Sequence, residues 1–295
     1  MVRIPSLKLS AGLCLVLSLS GAIPAPAARQ EPGQAERLAR LLDRAKNYCL
    51  KLERAALDFT CMEMIEEKMF ADPGFTTDPV LGVPSAGAQS VSNAERTFAR
   101  SYANNYVYDY QFVRKGDQKT ERRILVEENG RKKNEEGALL STQAIRVENA
   151  LFGPIGLLGA DWQARHDYKI AGEESQEGDT IVVIEASPKP SLDRPHCFGR
   201  VWVREADGSI VKISWDQSSV GNFALIQETA KMFKAEPRLT SITEYGLAKN
   251  GLRFPSKDTT EEAYLLNDGI RHIKSRTTIL YEKYKFFTVE TEIIY

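Results

Sequence analysis

Residues 199–215 read GRVWVREADGSIVKISW, and this stretch decides the fold class. On either side of Asp207-Gly208, apolar side chains alternate with polar or aromatic ones, which is the two-residue period of a half-buried strand. The dipeptide Asp-Gly is favoured in tight hairpin turns because both central residues can adopt a positive φ. The stretch therefore predicts two antiparallel strands joined by a short turn.

The same pattern recurs from Glu95 to Tyr295. Hairpins join antiparallel strands, whereas parallel strands need crossovers of about a dozen residues or more. A sheet with this many strands must curl. We therefore predict an α+β fold in which a curved antiparallel sheet forms an incomplete β-barrel, covered by an N-terminal helix and short internal helices. The predicted turns are Gly116-Asp117, Asn129-Gly130, Gly178-Asp179, Asp207-Gly208, Asn250-Gly251 and Asp268-Gly269.

Helical periodicity appears in three places. Residues 34–57 predict an amphipathic helix, followed by a first strand over 59–70. Residues 142–165 and 222–234 predict shorter helical interruptions of the sheet. Residues 71–93 hold three prolines and show no periodicity. We interpret them as a mobile loop, longer than compact domains usually keep without a purpose.

The N-terminus predicts export. Two basic residues precede an apolar run at 9–23, and Ala25-Pro26-Ala27 follows it as a small-residue cleavage site. This order is typical of a secretory signal peptide over 1–27, cleaved near Ala27. A retained membrane anchor is the alternative, although the run is shorter than the ~20 residues that span a bilayer. The remaining residues, 28–295, would form one β-rich half-barrel domain in the periplasm or outside the cell.

Composition narrows the choice of partners. The chain has 295 residues, a net charge of −1, 42% hydrophobic and 27% charged residues, which is ordinary for a globular protein. Lysines and arginines are interspersed with acids, so we expect no nucleic-acid partner. No segment after residue 27 approaches transmembrane length, so we do not expect an integral membrane protein.

Three cysteines would remain after cleavage: Cys49, Cys61 and Cys197. Export favours pairing, and the natural pair is Cys49 with Cys61, which lie about 12 residues apart. Buried free thiols are the alternative. The sequence does not exclude the other two pairings.

Two apolar regions are candidates for a ligand cavity. Alternation over 106–112 places aromatic side chains on one face of a strand, where they form sheet core or line a cavity. The patch 151–162 contains several glycines, which would suit either plain packing or a hinged lid. The cavity candidates, with the tryptophans of the later strands, are Tyr106, Tyr108, Tyr110, Phe112, Leu151, Phe152, Leu157, Leu158, Trp162, Trp202 and Trp215.

The residues of a catalytic or metal centre are not apparent. The chain has three histidines and lacks the usual nucleophile, metal and phosphate-binding motifs. Neighbouring side chains of an extended His196-Cys197 would point to opposite faces, which argues against a thiol–imidazole pair. Acidic pairs such as Glu261-Glu262 are expected on solvated surface. We therefore predict no catalytic residues, no metal and no cofactor.

The chain resembles the LolA/LppX-like family of periplasmic lipoprotein and lipid carriers. Two features carry this resemblance: the helix-then-strand segment at 34–70 and the hairpin at 199–213. It also resembles a group of exported bacterial proteins in three further segments, namely Tyr48-Cys49 to Cys61, Phe152 to Leu158, and Tyr284 to Tyr295. The family resemblance implies an open antiparallel barrel plugged by helices around an apolar cavity for acyl chains.

These observations favour an exported soluble carrier that holds an apolar ligand, either a lipid or a lipoprotein acyl chain, in a cavity of the curved sheet. One alternative is a structural or interaction module of the cell envelope that contacts a protein partner. The other is a hydrolase whose site the sequence does not reveal.

Overall fold

The structure is a computed structural model that describes residues 32–55, 59–70, 101–115, 118–138, 153–190, 198–221, 223–232, 234–267 and 269–287. The helices are α1 (Pro32–Ala55), α2 (Gly153–Leu158), α3 (Ala160–Gln163) and α4 (Phe223–Met232). The strands are β1 (Phe59–Met69), β2 (Tyr102–Lys115), β3 (Gln118–Glu128), β4 (Arg131–Glu136), β5 (His166–Gln176), β6 (Asp179–Pro188), β7 (Gly199–Arg204), β8 (Ile210–Trp215), β9 (Glu236–Glu244), β10 (Leu247–Lys249), β11 (Leu252–Phe254), β12 (Lys257–Leu265) and β13 (Arg271–Phe286).

Eleven of the described strands form one antiparallel sheet, in the order β4-β3-β2-β1-β13-β12-β9-β8-β7-β6-β5. The two edges, β4 and β5, are not joined to each other, so the sheet is open. β10 and β11 form a separate small hairpin. The predicted α+β fold, with a large antiparallel sheet that stops short of a closed barrel, is confirmed.

Most of the described turns lie where the sequence places them. Asn129-Gly130 and Asn250-Gly251 have positive φ at both residues, as a tight hairpin of the favoured hand requires. The turn predicted at Gly178-Asp179 is one residue out of place. Its two positive-φ residues are Glu177 and Gly178, because β6 already begins at Asp179.

α1 packs along one face of the sheet, which we call the inner face. Its buried side chains recur at intervals of three and four residues, as expected for an amphipathic helix. Each fully buried leucine contributes about 2 kcal/mol through loss of apolar surface from water. The buried residues of this stripe are Leu38, Leu41, Ala45, Tyr48, Cys49 and Leu52.

Polar contacts fix both halves of α1. Near its start, two nitrogens of the Arg37 guanidinium donate to the carboxylate of Glu205, at 2.6 and 2.7 Å. Further along, the backbone N–H of Arg253 in β11 donates to the Tyr48 hydroxyl at 2.8 Å. The helix therefore spans the inner face from the β7–β8 turn to the small hairpin.

The shorter helices also differ in part from expectation. Of the helical segment predicted over 142–165, the described part forms α2 and α3 on either side of Gly159. A Cβ on Gly153 would lie 2.7 Å from the Tyr245 hydroxyl and 2.9 Å from Trp215 Cζ2. Gly153 thus permits close packing of α2 on the sheet. The helix predicted over 222–234 corresponds to α4.

Within the described ranges, no helix is long and apolar enough to cross a bilayer.

The predicted disulfide is absent. Cys49 and Cys61 are both buried free thiols, because their side chains meet different partners. The Cys49 thiol donates to the carbonyl oxygen of Pro154 at 3.4 Å, whereas the Cys61 thiol forms a hydrogen bond with the Tyr284 side chain. Burial raises the pKa of each thiol to about 12, which keeps both protonated.

Several predictions fall outside the described residues. These are the signal peptide, the loop at 71–93, the segment containing His196 and Cys197, and the terminal strand beyond Phe287.

Gly208 gives a direct test of how α1 sits on the sheet. A Cβ at this position would lie 2.6 Å from the carbonyl carbon of Arg44 and 2.7 Å from the backbone nitrogen of Ala45. Gly208→Ala should lower the free energy of unfolding by about 2–4 kcal/mol in a denaturant titration, since backbone strain and a backbone clash add together. Gly130→Ala is the control, with a φ of +78° and open space around the Cβ, and it should cost only the strain. Equal losses in the two variants would contradict this placement of α1.

Candidate functional site

The inner face carries two separate apolar clusters. The larger lies under α1 and α2 and includes side chains of β1, β2, β6, β7, β8 and β13. The smaller joins Phe223, Ile226 and Ala230 of α4 to Leu239 and Tyr264 of the sheet. The two clusters do not merge, so part of the inner face lies between them.

Strand register shows what lies between the clusters. Two neighbouring rows of inner-face side chains cross the sheet, and each contains a polar stretch. This stretch covers β12 and β9 in the first row and β1, β13, β12 and β9 in the second. The first row is Ile65, Ile279, Asp258, Thr243, Ile213, Val201 and Ile184. The second is Glu67, Thr277, Thr260, Ser241, Trp215, Gly199 and Ala186. We call Glu67, Ser241, Thr243, Asp258, Thr260 and Thr277 the polar band.

Asp258 is the centre of a hydrogen-bond network in the polar band. Trp215 Nε1 donates to Thr243 Oγ1 at 3.1 Å, and that hydroxyl donates to Asp258 Oδ2 at 2.5 Å. On the other side, Thr260 Oγ1 donates to Asp258 Oδ1 at 3.4 Å and lies 3.2 Å from Ser241 Oγ. The described donors to this carboxylate are thus neutral hydroxyls.

Burial therefore controls the charge of Asp258. The pKa of its carboxyl is raised to about 7, chiefly by desolvation and to a smaller extent by the nearby charge of Glu63. The hydrogen bonds from Thr243 and Thr260 act in the opposite direction. The group consequently titrates close to neutral pH.

Thr277 differs from the rest of the polar band because, within the described ranges, its hydroxyl has no hydrogen-bond partner. The residue is 2% exposed, and its cross-strand neighbours are Glu67 and Thr260. Native structures rarely leave a buried hydroxyl unsatisfied, so each instance calls for an explanation.

A buried ion-pair cluster borders the polar band on the β2–β3 side. Arg123 donates through Nε and Nη2 to both oxygens of Glu63, at 2.6 and 3.0 Å, and through Nη1 to Glu121 at 2.8 Å. The Tyr110 hydroxyl donates to Glu121 at 2.9 Å, and its ring lies 4.9 Å from the guanidinium carbon. Desolvation raises the pKa of Glu63 even so. The Arg123 guanidinium is thus paired with two carboxylates, those of Glu63 and Glu121.

A depression of about 380 Å³ opens at the ends of β6, β7 and β8. Its border combines apolar and charged residues: Ala186, Phe198, Trp215, Leu239, Glu185 and Arg200. Leu239 belongs to the α4 cluster, whereas Phe198 and Trp215 pack against the larger one. The depression therefore lies where the two apolar clusters approach each other.

The structure brings most of the sequence-predicted cavity residues to the inner face. Tyr106, Tyr108 and Tyr110 are buried there in β2, and Leu157 and Leu158 are buried in α2. Trp215 borders the depression, and Trp162 is half-buried in α3. The backbone of Phe112 pairs with Glu121, while its side chain, Leu151 and Phe152 lie outside what is described.

Trp202 lies on the opposite face, away from the other candidates. It alternates with the buried Val201 and Val203, its Nε1 donates to Glu174 at 2.9 Å, and Lys212 Nζ lies 3.9 Å from the ring centroid. The strand period of two residues accounts for this orientation.

Sequence reasoning missed the polar side chains of the inner face. Glu262 is buried on the inner face, where it accepts from Tyr264 at 2.5 Å. Its neighbour Glu261, on the opposite face, is also buried rather than solvated and pairs with Arg271 and Arg276. A usable signal existed in β1, where Glu63 and Glu67 share the alternation of Phe59, Cys61 and Ile65. Asp258 and Thr277 have no comparable local signal.

Asp258 should make stability depend on pH. Its pKa is higher in the folded chain than the 3.8 of an unfolded one, so its stabilising contribution is complete below pH 3.8 and is lost as the pH rises through 7. Asp258→Asn removes this titration. Its Tm relative to wild type should be several degrees higher at pH 8 than at pH 5, since each pKa unit corresponds to about 1.4 kcal/mol.

Differential scanning fluorimetry at the two pH values measures this effect. Thr259→Val, the adjacent position on the opposite face of β12, is the control and should show the same Tm difference from wild type at both pH values. A pH-independent difference for Asp258→Asn would show that its carboxyl does not titrate in this range.

Comparison with known proteins gives matches among solved structures alone, since the sequence matches no protein-family model and no curated protein. A LolA superfamily protein from Nitrosomonas europaea has 12% identity and a TM-score of 0.34, over 85% of this chain and 94% of that one. A putative outer-membrane lipoprotein-sorting domain from Vibrio parahaemolyticus has 7% identity and a TM-score of 0.40, over 85% and 95%. A DUF1329 family protein from Desulfovibrio piger has 11% identity and a TM-score of 0.38, over 83% and 92%. Proteins of LolA type are thus among the solved structures that this chain resembles.

Proposed function

We propose that the chain is an exported binding protein that carries a lipid-like ligand against the inner face of its sheet. The observation that carries this proposal is the separation of the two apolar clusters, with a depression where they approach. Ligand sites typically occupy about 300–1,000 Å³ and combine apolar walls with a few polar groups. The depression and the polar band next to it have this composition.

The geometry supports binding by burial. An acyl chain that lies along Phe198, Trp215 and Leu239 would leave water, at a gain of about 0.8 kcal/mol for each methylene. In the described part of the chain, no group of three or more His, Cys, Asp or Glu side chains is placed to hold a metal ion.

Trp215 gives a specific test of this ligand site. The fluorescent probe N-phenyl-1-naphthylamine should bind the purified protein, and Trp215→Ala should weaken that binding about tenfold or more through loss of apolar wall. Trp202→Ala is the matched control, because it removes the same side chain from the opposite face and should leave probe binding unchanged. Circular dichroism would verify that both variants are folded.

A second measurement looks for a ligand that is already bound. Mass spectrometry of an organic extract of the protein should also identify bound acyl compounds. A protein that binds no probe and yields no such compound, or one in which the two tryptophan variants behave alike, would contradict the proposed ligand site.

Export is the second part of the proposal and rests on residues 1–27. When the full chain is expressed in a bacterial host, peptide mass spectrometry of the mature protein should find an N-terminus close to Ala28. An intact Met1 or Val2 N-terminus on the accumulated protein would argue for retention inside the cell.

A further inference from the structure

At one corner of the molecule, four exposed lysines have no acidic partner within the described ranges. The end of α1, the β10–β11 hairpin and the last residues of β13 meet at this corner, and they expose Lys51, Lys249, Lys283 and Lys285. Six other lysines of the chain each pair with a nearby acid. We call the four lysines, together with the exposed Phe287, the basic corner.

Contacts between α1 and the small hairpin bring the first two lysines to this corner. The Tyr48 hydroxyl of α1 accepts from the backbone N–H of Arg253 in β11 at 2.8 Å. Lys51 lies three residues after Tyr48, so both side chains are on the same side of the helix. Lys249 is at the end of β10, in the same hairpin as Arg253.

Ring packing brings the end of β13 to the same hairpin. The rings of Phe254 in β11 and Phe286 in β13 lie 5.1 Å apart, and Lys249 Nζ lies 5.9 Å from the centroid of the Phe286 ring. Lys285 and Phe287 flank Phe286 in the chain. The lysines of α1, the hairpin and β13 therefore belong to one surface.

Cations outnumber acids among the described residues of this surface. Glu53 and Glu282 are the described acids within two positions of the four lysines in the chain. Arg54, in the last turn of α1, adds a fifth cation, and the cross-strand neighbour of Lys285 is the neutral Thr60. Even with both acids counted in full, the surface has a positive excess.

Positive charge around exposed aromatic rings matches the surface of an anionic bilayer. Lysines are attracted to the lipid phosphates, and aromatic rings are favoured at the depth of the head groups. Phe287 is 53% exposed, and the half-buried rings of Tyr284 and Phe286 beside it are stacked with centroids 5.9 Å apart. An acidic protein would also attract the lysines, but a bilayer supplies the apolar surroundings that Phe287 needs in order to leave water.

We propose that the basic corner docks the protein onto a membrane surface rich in anionic lipids, with its four lysines near the lipid phosphates and Phe287 among the head groups. The depression of the proposed ligand site is at the opposite end of the sheet. It lies at the end of β8, whereas the antiparallel register from β13 through β12 and β9 aligns the end of β13 with the start of β8. Membrane docking and ligand binding are therefore separate claims, and either can fail without the other.

Co-sedimentation of the purified protein with vesicles tests the docking surface. Vesicles of phosphatidylcholine mixed with phosphatidylglycerol are compared with vesicles of phosphatidylcholine alone. Partition onto the anionic vesicles should be at least about tenfold stronger, since each basic residue near an anionic surface contributes about fivefold. Raising the salt from about 0.1 M to about 1 M should remove this preference, because the Debye length falls from about 10 Å to about 3 Å. Equal partition onto the two kinds of vesicle, or binding to neither, would overturn the inference.

Paired lysine variants locate the attraction at the basic corner. The double variant Lys283→Gln, Lys285→Gln should weaken partition onto anionic vesicles about tenfold or more. The double variant Lys132→Gln, Lys234→Gln is the matched control, because it removes two exposed lysines away from the corner and Lys234 shares the positive φ of Lys283, 53° against 54°. The control should bind as the wild type does. Equal losses in the two double variants would show that net charge, and not this surface, determines binding, and would overturn the inference.

Phe287 distinguishes a bilayer from other acidic partners. Phe287→Ala should weaken partition onto anionic vesicles about fivefold at unchanged charge, through loss of apolar surface that leaves water. Leu225→Ala is the control, since it truncates an apolar side chain that is 68% exposed on α4, at the other end of the sheet, and it should have no effect. Circular dichroism would verify that all variants are folded. A Phe287→Ala variant that binds as tightly as the wild type would contradict insertion among the head groups.

Discussion

The burial of one helix against one face of an open sheet is the interaction on which this structure depends. An eleven-stranded sheet with free edges cannot bury its inner face by closing on itself, so another element must cover it. α1 does this with an apolar stripe of Leu38, Leu41 and Leu52, held near its start by Arg37 and further along by Tyr48. The side chains that α1 and α2 bury make up the larger apolar cluster. The polar band and the α4 cluster occupy the neighbouring part of the inner face.

Local patterns in the sequence predicted the elements well. The alternation around Asp207-Gly208, the Asn-Gly turns and the stripe of α1 each depend on neighbouring residues, so one sequence is enough to find them. The predicted disulfide was wrong for a non-local reason. Cys49 and Cys61 are close in sequence, but the thiol partners in the fold, Pro154 and Tyr284, come from distant segments.

The candidate site could be predicted only in part for the same reason. The tyrosines of β2 share one short strand, so their common face is visible in the sequence. The polar band combines residues from β1, β9, β12 and β13, and two register shifts, one between Thr60 and Met62 and one between Glu262 and Ala263, help to set which of them meet. A segment such as KDTTEEAYL resembles solvated surface until its neighbours are known, and in the structure Asp258 and Thr260 are almost fully buried.

Among the described strands, β4 and β5 each pair with a neighbour on one side alone, and edge strands of this kind can recruit another chain. β4 has the sequence RKKNEE, and all six of its side chains are exposed. β5 carries Lys169, Glu173 and Glu174 and has a register irregularity between Ile170 and Gly172. The charged side chains of β4 oppose strand addition at that edge. At β5, charged side chains and the register irregularity act in the same way. The sheet can thus remain open and still resist edge-to-edge aggregation.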